Sequence, residues 1–129
     1  MKQLRNPEGI HEPLGVYTHQ IEITGPERLL FLAGQVGQRA DGTVPDDPLE
    51  QLGVALDNVV RNLEAAGMGV DDLVKLIFYH VGDVDRERRR DLLATKLEGH
   101  RPCMTLLFIS ALAAPAYKVE VDAWASSER

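Results

Sequence analysis

Three short segments of this chain are apolar on both sides of a strand: residues 29–33, 76–79 and 106–109. A strand that alternates apolar and polar residues needs one covering layer, whereas a strand without a polar face needs two. Long loops could supply the second layer, but the loops between the elements of this chain read as short. The pattern therefore predicts a sheet covered on one face by the chain's own helices and on the other by another subunit.

Turn signals divide the rest of the chain into the elements of such a domain. Residues 17–24 read as a strand with Ile21 and Ile23 on one side, broken by Gly25-Pro26-Glu27. Residues 29–33 read as a central strand, and the short break between the two predicts an antiparallel hairpin. Asp41-Gly42 marks a second tight turn, leading into a short edge strand near Thr43 and Val44. The first helix is the best signalled: Asp47 as its cap, Pro48 in its first turn, Glu50 completing a capping box, and Gly67 as its stop. Leu49, Leu52, Leu56, Val59, Val60 and Leu63 fall on one face at helical spacing. A strand over 73–80 follows, then a thinner helix over about 84–97 with Asp83 as its cap and Gly99 and Pro102 as its stop. Two strands close the chain: 103–110, mostly apolar, and 118–125, where Val119, Val121 and Ala123 alternate with Glu120, Asp122 and Trp124. The order is β-β-β-α-β-α-β-β: an α/β (α+β) fold with a mixed sheet and two helices on one face, in a single domain over 1–129.

Composition narrows the function classes. A net charge of −6 argues against nucleic acid as a partner, because phosphate binding needs clustered cations. The one basic run, Arg86-Glu87-Arg88-Arg89-Arg90, reads as a solvated helix face, with a local anion or partner patch as the alternative. No apolar run is long enough to span a bilayer, and the charged start at Lys2 and Arg5 has no apolar stretch behind it, so neither a membrane segment nor a secretory signal is expected. The single cysteine, Cys103, excludes an intrachain disulfide and makes a reducing cytoplasm the simplest location.

The usual reactive constellations are weak. His11, His19, His80 and His100 have no ligand spacing, so no metal is expected. Cys103 lies in an apolar strand and reads as a structural thiol. Gly34-Gln35-Val36-Gly37 lacks the lysine and spacing of a phosphate loop and reads as a turn or bulge. Ser110 has no histidine or acid in a recognisable setting. Glu120 stands out more, as a carboxylate in mid-strand. It either faces solvent on an open sheet or, if a subunit covers that face, lies in a cleft where it can position water or substrate. Tyr17 reads as a packing residue whose hydroxyl can reach a ligand at a subunit boundary.

Five motifs in order resemble the RidA (YjgF) family. Leu14-Gly15-Val16-Tyr17-Thr18 is similar to the family's Ile-Gly-Pro-Tyr-Ser opening, and Leu30-Phe31-Leu32-Ala33-Gly34-Gln35-Val36 to its strand ending in Ser-Gly-Gln-Ile. Leu63-Glu64-Ala65-Ala66-Gly67 matches its Glu-Ala-Ala-Gly helix end, Asp72-Leu73-Val74-Lys75 its Asp-Val-Val-Lys strand entry, and Val119-Glu120-Val121-Asp122-Ala123 its Val-Glu-Ile-Glu-Ala strand. The resemblance implies a chorismate-mutase-like fold and a homotrimer whose sheets close into a barrel. It also implies small-molecule clefts between subunits, lined by Tyr17, Ala33, Gly34, Met104, Thr105 and Glu120. Active family members hydrolyse enamines and imines of amino acids without cofactor, and the residue matching Glu120 is expected to help place the attacking water.

Val16 replaces the pattern's proline and Ala33 its serine, and a third departure bears directly on substrate binding. The family's Pro-Ala-Arg-Ser-Thr segment grips the substrate carboxylate through its arginine; here it reads Pro102-Cys103-Met104-Thr105-Leu106. A charge-assisted hydrogen bond contributes roughly 1.5–3 kcal/mol, so the loss would weaken carboxylate binding about tenfold to several hundredfold. Arg101 and Lys118 are the sequence's candidates for compensation. Three readings follow: a deaminase or hydrolase with an altered substrate, a non-catalytic small-ligand binder, and an interaction or chaperone-like protein on the same scaffold.

Overall fold

The computed structural model describes all residues, Met1–Arg129. Seven strands and two α-helices form it: β1 (Lys2–Arg5), β2 (Gln20–Ile23), β3 (Arg28–Phe31), β4 (Gln35–Val36), α1 (Pro48–Ala65), β5 (Leu73–His80), α2 (Arg86–Lys96), β6 (Cys103–Phe108) and β7 (Val119–Ser127). The main sheet runs β3-β7-β5-β6, with β4 also paired to β7. Only β5 and β6 are parallel; β3, β4 and β5 all meet β7 antiparallel, so the sheet is mixed as expected. No helix is long and apolar enough to cross a membrane.

α1 forms where its signals place it. The Asp47 carboxylate accepts from the Glu50 N–H at 3.1 Å, Pro48 opens the helix, and Gly67 takes φ +71° just past its end. Its buried stripe, including Leu52, Leu56, Val59 and Leu63, packs on Val119, Val121, Ala123 and Ala125 of β7 and on Leu76 and Phe78 of β5. Each such side chain contributes about 1.5–3 kcal/mol on burial. Gln51, on the same stripe, is buried too. Its amide donates to the Pro45 and Ala116 carbonyls at 2.8 and 2.9 Å and accepts from the Lys118 N–H at 2.8 Å. It thereby ties the start of α1 to the entry of β7. Asn58 donates to the Val36 and Gln38 carbonyls at 3.2 and 3.0 Å, which holds β4 against the same helix.

Several expectations are corrected. β2 does not form a hairpin with β3; it pairs with β1, which puts Leu4 opposite Ile21, while β3 pairs with β7. Residues 29–33 are therefore not a central strand. β3 ends at Phe31 on the sheet's edge, and its second apolar side is exposed. No strand forms near Thr43 and Val44; the Asp41-Gly42 turn closes through Arg39 N–H to Thr43 C=O, and the short strand lies earlier, at Gln35–Val36. α2 starts two residues later than its sequence signal. Gly82 turns at φ +79°, Val84 packs on the core, and Asp85 rather than Asp83 caps the helix by accepting from Arg88 N–H at 2.9 Å.

Both helices lie on one face of the main sheet. On the other, Leu29, Phe31 and Leu107 are 60%, 68% and 43% exposed. This is the uncovered apolar face that the two-sided strands imply.

Candidate functional site

Adjacent residues of a strand point to opposite faces, and this rule separates the candidate residues into two groups. On β6, Met104 stands opposite Leu76 and faces the helices; Thr105 stands opposite Ile77 and faces the open side, as Glu120 and Asp122 of β7 do. Within one chain Met104 and Glu120 therefore do not share a site.

The helix-side group surrounds a cavity of about 490 Å³ between α2, β6 and the segment before β2. Tyr17 and Met104 both line it. The Tyr17 hydroxyl accepts from the Leu14 N–H at 3.0 Å, closing its loop, and Thr18 N–H donates to the Pro102 carbonyl at 3.2 Å, anchoring that loop at the entry to β6. The remaining walls are largely apolar, with Phe78, Leu106 and Phe108 among them.

Three arginines of α2 also line this cavity: Arg86, Arg89 and Arg90. The basic run is thus not uniformly a solvated face. Arg88 points away and pairs with Asp47 at 3.2 Å. Arg89 is half-buried: its Nε donates to His80 Nε2 at 3.2 Å, and its guanidinium lies 4.6 Å from the Phe78 ring centroid. Burial lowers the Arg89 pKa to about 10. His80 is fully buried, and burial, followed by the nearby Arg89 charge, lowers its pKa to about 4. The neutral ring accepts at Nε2, so its proton sits on Nδ1, a buried nitrogen without a hydrogen-bond partner. The missed signal was in the spacing: Arg86, Arg89 and Arg90 share a helical stripe with Leu93, the buried leucine of α2. Arg101 and Lys118 do not line the cavity.

The open-face group centres on Glu120. Gly34 passes so close that a Cβ there would overlap the carboxylate, lying 2.7 Å from Glu120 Cδ. Ala33 adjoins it, its carbonyl accepting from the Gln35 amide at 2.9 Å. Farther along the face, Lys75 Nζ donates to Thr105 Oγ1 at 2.8 Å, and the Tyr79 hydroxyl donates to Asp122 at 2.9 Å, which raises the Tyr79 pKa. Cys103 is half-buried, and its burial raises the thiol pKa, a setting that disfavours the reactive thiolate. No three His, Cys, Asp or Glu side chains gather as a metal-holding group.

Comparison with known proteins places these features in context. A family model described as Endoribonuclease L-PSP matches residues 9–127. The chain is 34% identical over 93 residues to the RutC family protein YjgH of Escherichia coli (strain K12), spanning 71% of this chain and 68% of that one. It is 26% identical over 130 residues to the RutC family protein PH0854 of Pyrococcus horikoshii, spanning 99% and 100%. Among solved structures, the Rid-family protein YyfB of Yersinia pestis, whose function is unknown, superposes with a TM-score of 0.88 at 27% identity, covering 98% of both chains.

Proposed function

Because this chain belongs to the RidA/YjgF family, we propose that it acts on small reactive metabolites of the imine or enamine class, in clefts completed between copies of a homotrimer. One observation carries this reading: Tyr17 with Met104 and Gly34 with Glu120 lie on opposite faces of one sheet, and each group borders an uncovered apolar surface. Packing three sheets edge to face would bury Leu29, Phe31 and Leu107 and bring the Glu120 side of one copy to the Met104 cavity of the next.

In such a cleft Glu120 accepts a proton from water as the oxygen adds to the imine carbon. Glu120 returns that proton to the nitrogen to give a carbinolamine. The carbinolamine hydroxyl then passes its own proton, through the same carboxylate, to the nitrogen as the C=O bond forms and the C–N bond breaks, so that a carbonyl compound and ammonia leave. No metal or organic cofactor is needed for this step. A nucleic-acid substrate is disfavoured by the net charge of −6. The second reading, a binder without turnover, is favoured by Met104, which removes the family's carboxylate grip from β6.

The test generates 2-iminopropanoate with an amino-acid oxidase and follows its decay. Acceleration below that of an arginine-bearing relative, abolished by Glu120→Gln, is the expected result. No acceleration of this or of bulkier apolar imines, with saturable ligand binding intact, would transfer the protein to the second reading.

A further inference from the structure

We infer that Arg89 of α2 holds the anionic group of a carboxylate ligand with an apolar body, in the cavity it shares with Met104. This rests on the reading of that cavity as the ligand site.

The cavity, at about 490 Å³, is within the range of small-molecule sites, and its walls are mostly apolar. Its only formally charged lining residues are Arg86, Arg89 and Arg90; no acidic side chain faces them. None of the three makes an ion pair, although Arg88 and Lys96 on the same helix pair with Asp47 and Asp57. A half-buried cation without a counter-ion is costly unless something else completes it.

Arg89 is also oriented for the task. His80 takes its Nε and the Phe78 ring supports its plane, while no protein group bonds Nη1 or Nη2. These two nitrogens form the fork that a carboxylate engages with two parallel hydrogen bonds. The lowered pKa of Arg89 has the same origin: the site disfavours the lone cation, and a bound anion would relieve that penalty. A single desolvated guanidinium suits a monoanion. The ring of Phe78 and the side chains of Met104, Leu106 and Phe108 suit an aromatic or branched body rather than a short polar one.

Calorimetric titration of the purified full chain with phenylacetate and with its neutral isostere phenylacetamide tests this. The acid should bind about tenfold more tightly or better. Arg89→Met should erase that preference while leaving amide affinity within about threefold, and Arg89→Lys, which keeps charge without the fork, should retain part of it. Equal affinity for acid and amide in the wild type, as would follow if a carboxylate of a second copy neutralised the guanidinium, overturns the role of Arg89 but leaves the cavity as a ligand site. A preference that survives Arg89→Met also overturns it. Binding of neither probe overturns the ligand-site reading together with the role of Arg89. The wild-type comparison stands even if a variant fails to fold.

Discussion

Arg89 and His80 share one hydrogen bond, from Nε to Nε2 at 3.2 Å, and it couples a half-buried cation to a buried neutral imidazole at the end of β5. The pair sets how this part of the core responds to acid. Unfolded, His80 takes up a proton near its ordinary pKa of 6.5; folded, it does so only near 4. Between those values the unfolded state binds more protons. The contribution of His80 to stability is therefore complete above about pH 6.5 and is lost as pH falls towards 4, on the order of 3 kcal/mol in all. His80→Gln keeps an acceptor for Arg89 without a titrating ring, so it should flatten this window. Urea unfolding at pH 7, 5.5 and 4 measures it, and an unchanged pH slope in the variant would show that other groups govern acid sensitivity.

Two glycines should respond differently to alanine. At Gly37 a Cβ would fall 2.6 Å from the Gln51 Cα, and helix backbone cannot move aside. Gly37→Ala should destabilise by about 1–3 kcal/mol or more. At Gly34 the obstacle is the end of the Glu120 side chain, which can rotate away. Gly34→Ala should cost under about 1 kcal/mol, yet shift the carboxylate and reduce any Glu120-dependent turnover. Unfolding and imine-decay measurements on both variants separate the two effects; comparable destabilisation would contradict the geometry.

Met104→Arg places a fourth guanidinium on a cavity already lined by three. The single variant should melt lower than wild type because like charges meet in a partly dry site. Arg89→Met combined with Met104→Arg removes one of them and should recover both stability and preference for the carboxylate probe. A coupling of at least about 1 kcal/mol in the double-mutant cycle is expected. Additive effects would mean that the two positions do not serve one ligand group.

The exposed face around Phe31 and Leu107 predicts assembly. Light scattering should give three times the chain mass. Phe31→Glu with Leu107→Lys should lower it, and Arg88→Ala, on the far side of α2, should leave it unchanged. A stable monomer in the wild type would remove the basis for an intersubunit cleft.

Local patterns in the sequence carried much of this protein. The stripe from Leu49 to Leu63 with its Asp47 cap and Gly67 stop defined α1, because helix ends and helix faces are encoded within a few residues. β5 occupies residues 73–80 as read, and the alternation in β7 sorted Val119, Val121 and Ala123 from Glu120, Asp122 and Trp124 correctly. Even the separation of Met104 from Thr105 was implicit in strand geometry, although the resemblance implies a cleft lined by both together with Glu120. Strand partnership was not legible. Periodicity says which side of β2 is apolar but not that β1 will cover its edge, and it cannot show that β3 crosses to β7, nearly a hundred residues away. Nor could local pattern assign Gln51 to a buried three-bond tie or Arg89 to a place beside His80 and Phe78. Those roles depend on groups distant in the chain, and only the packed tertiary structure decides which polar side chains leave water and what meets them there.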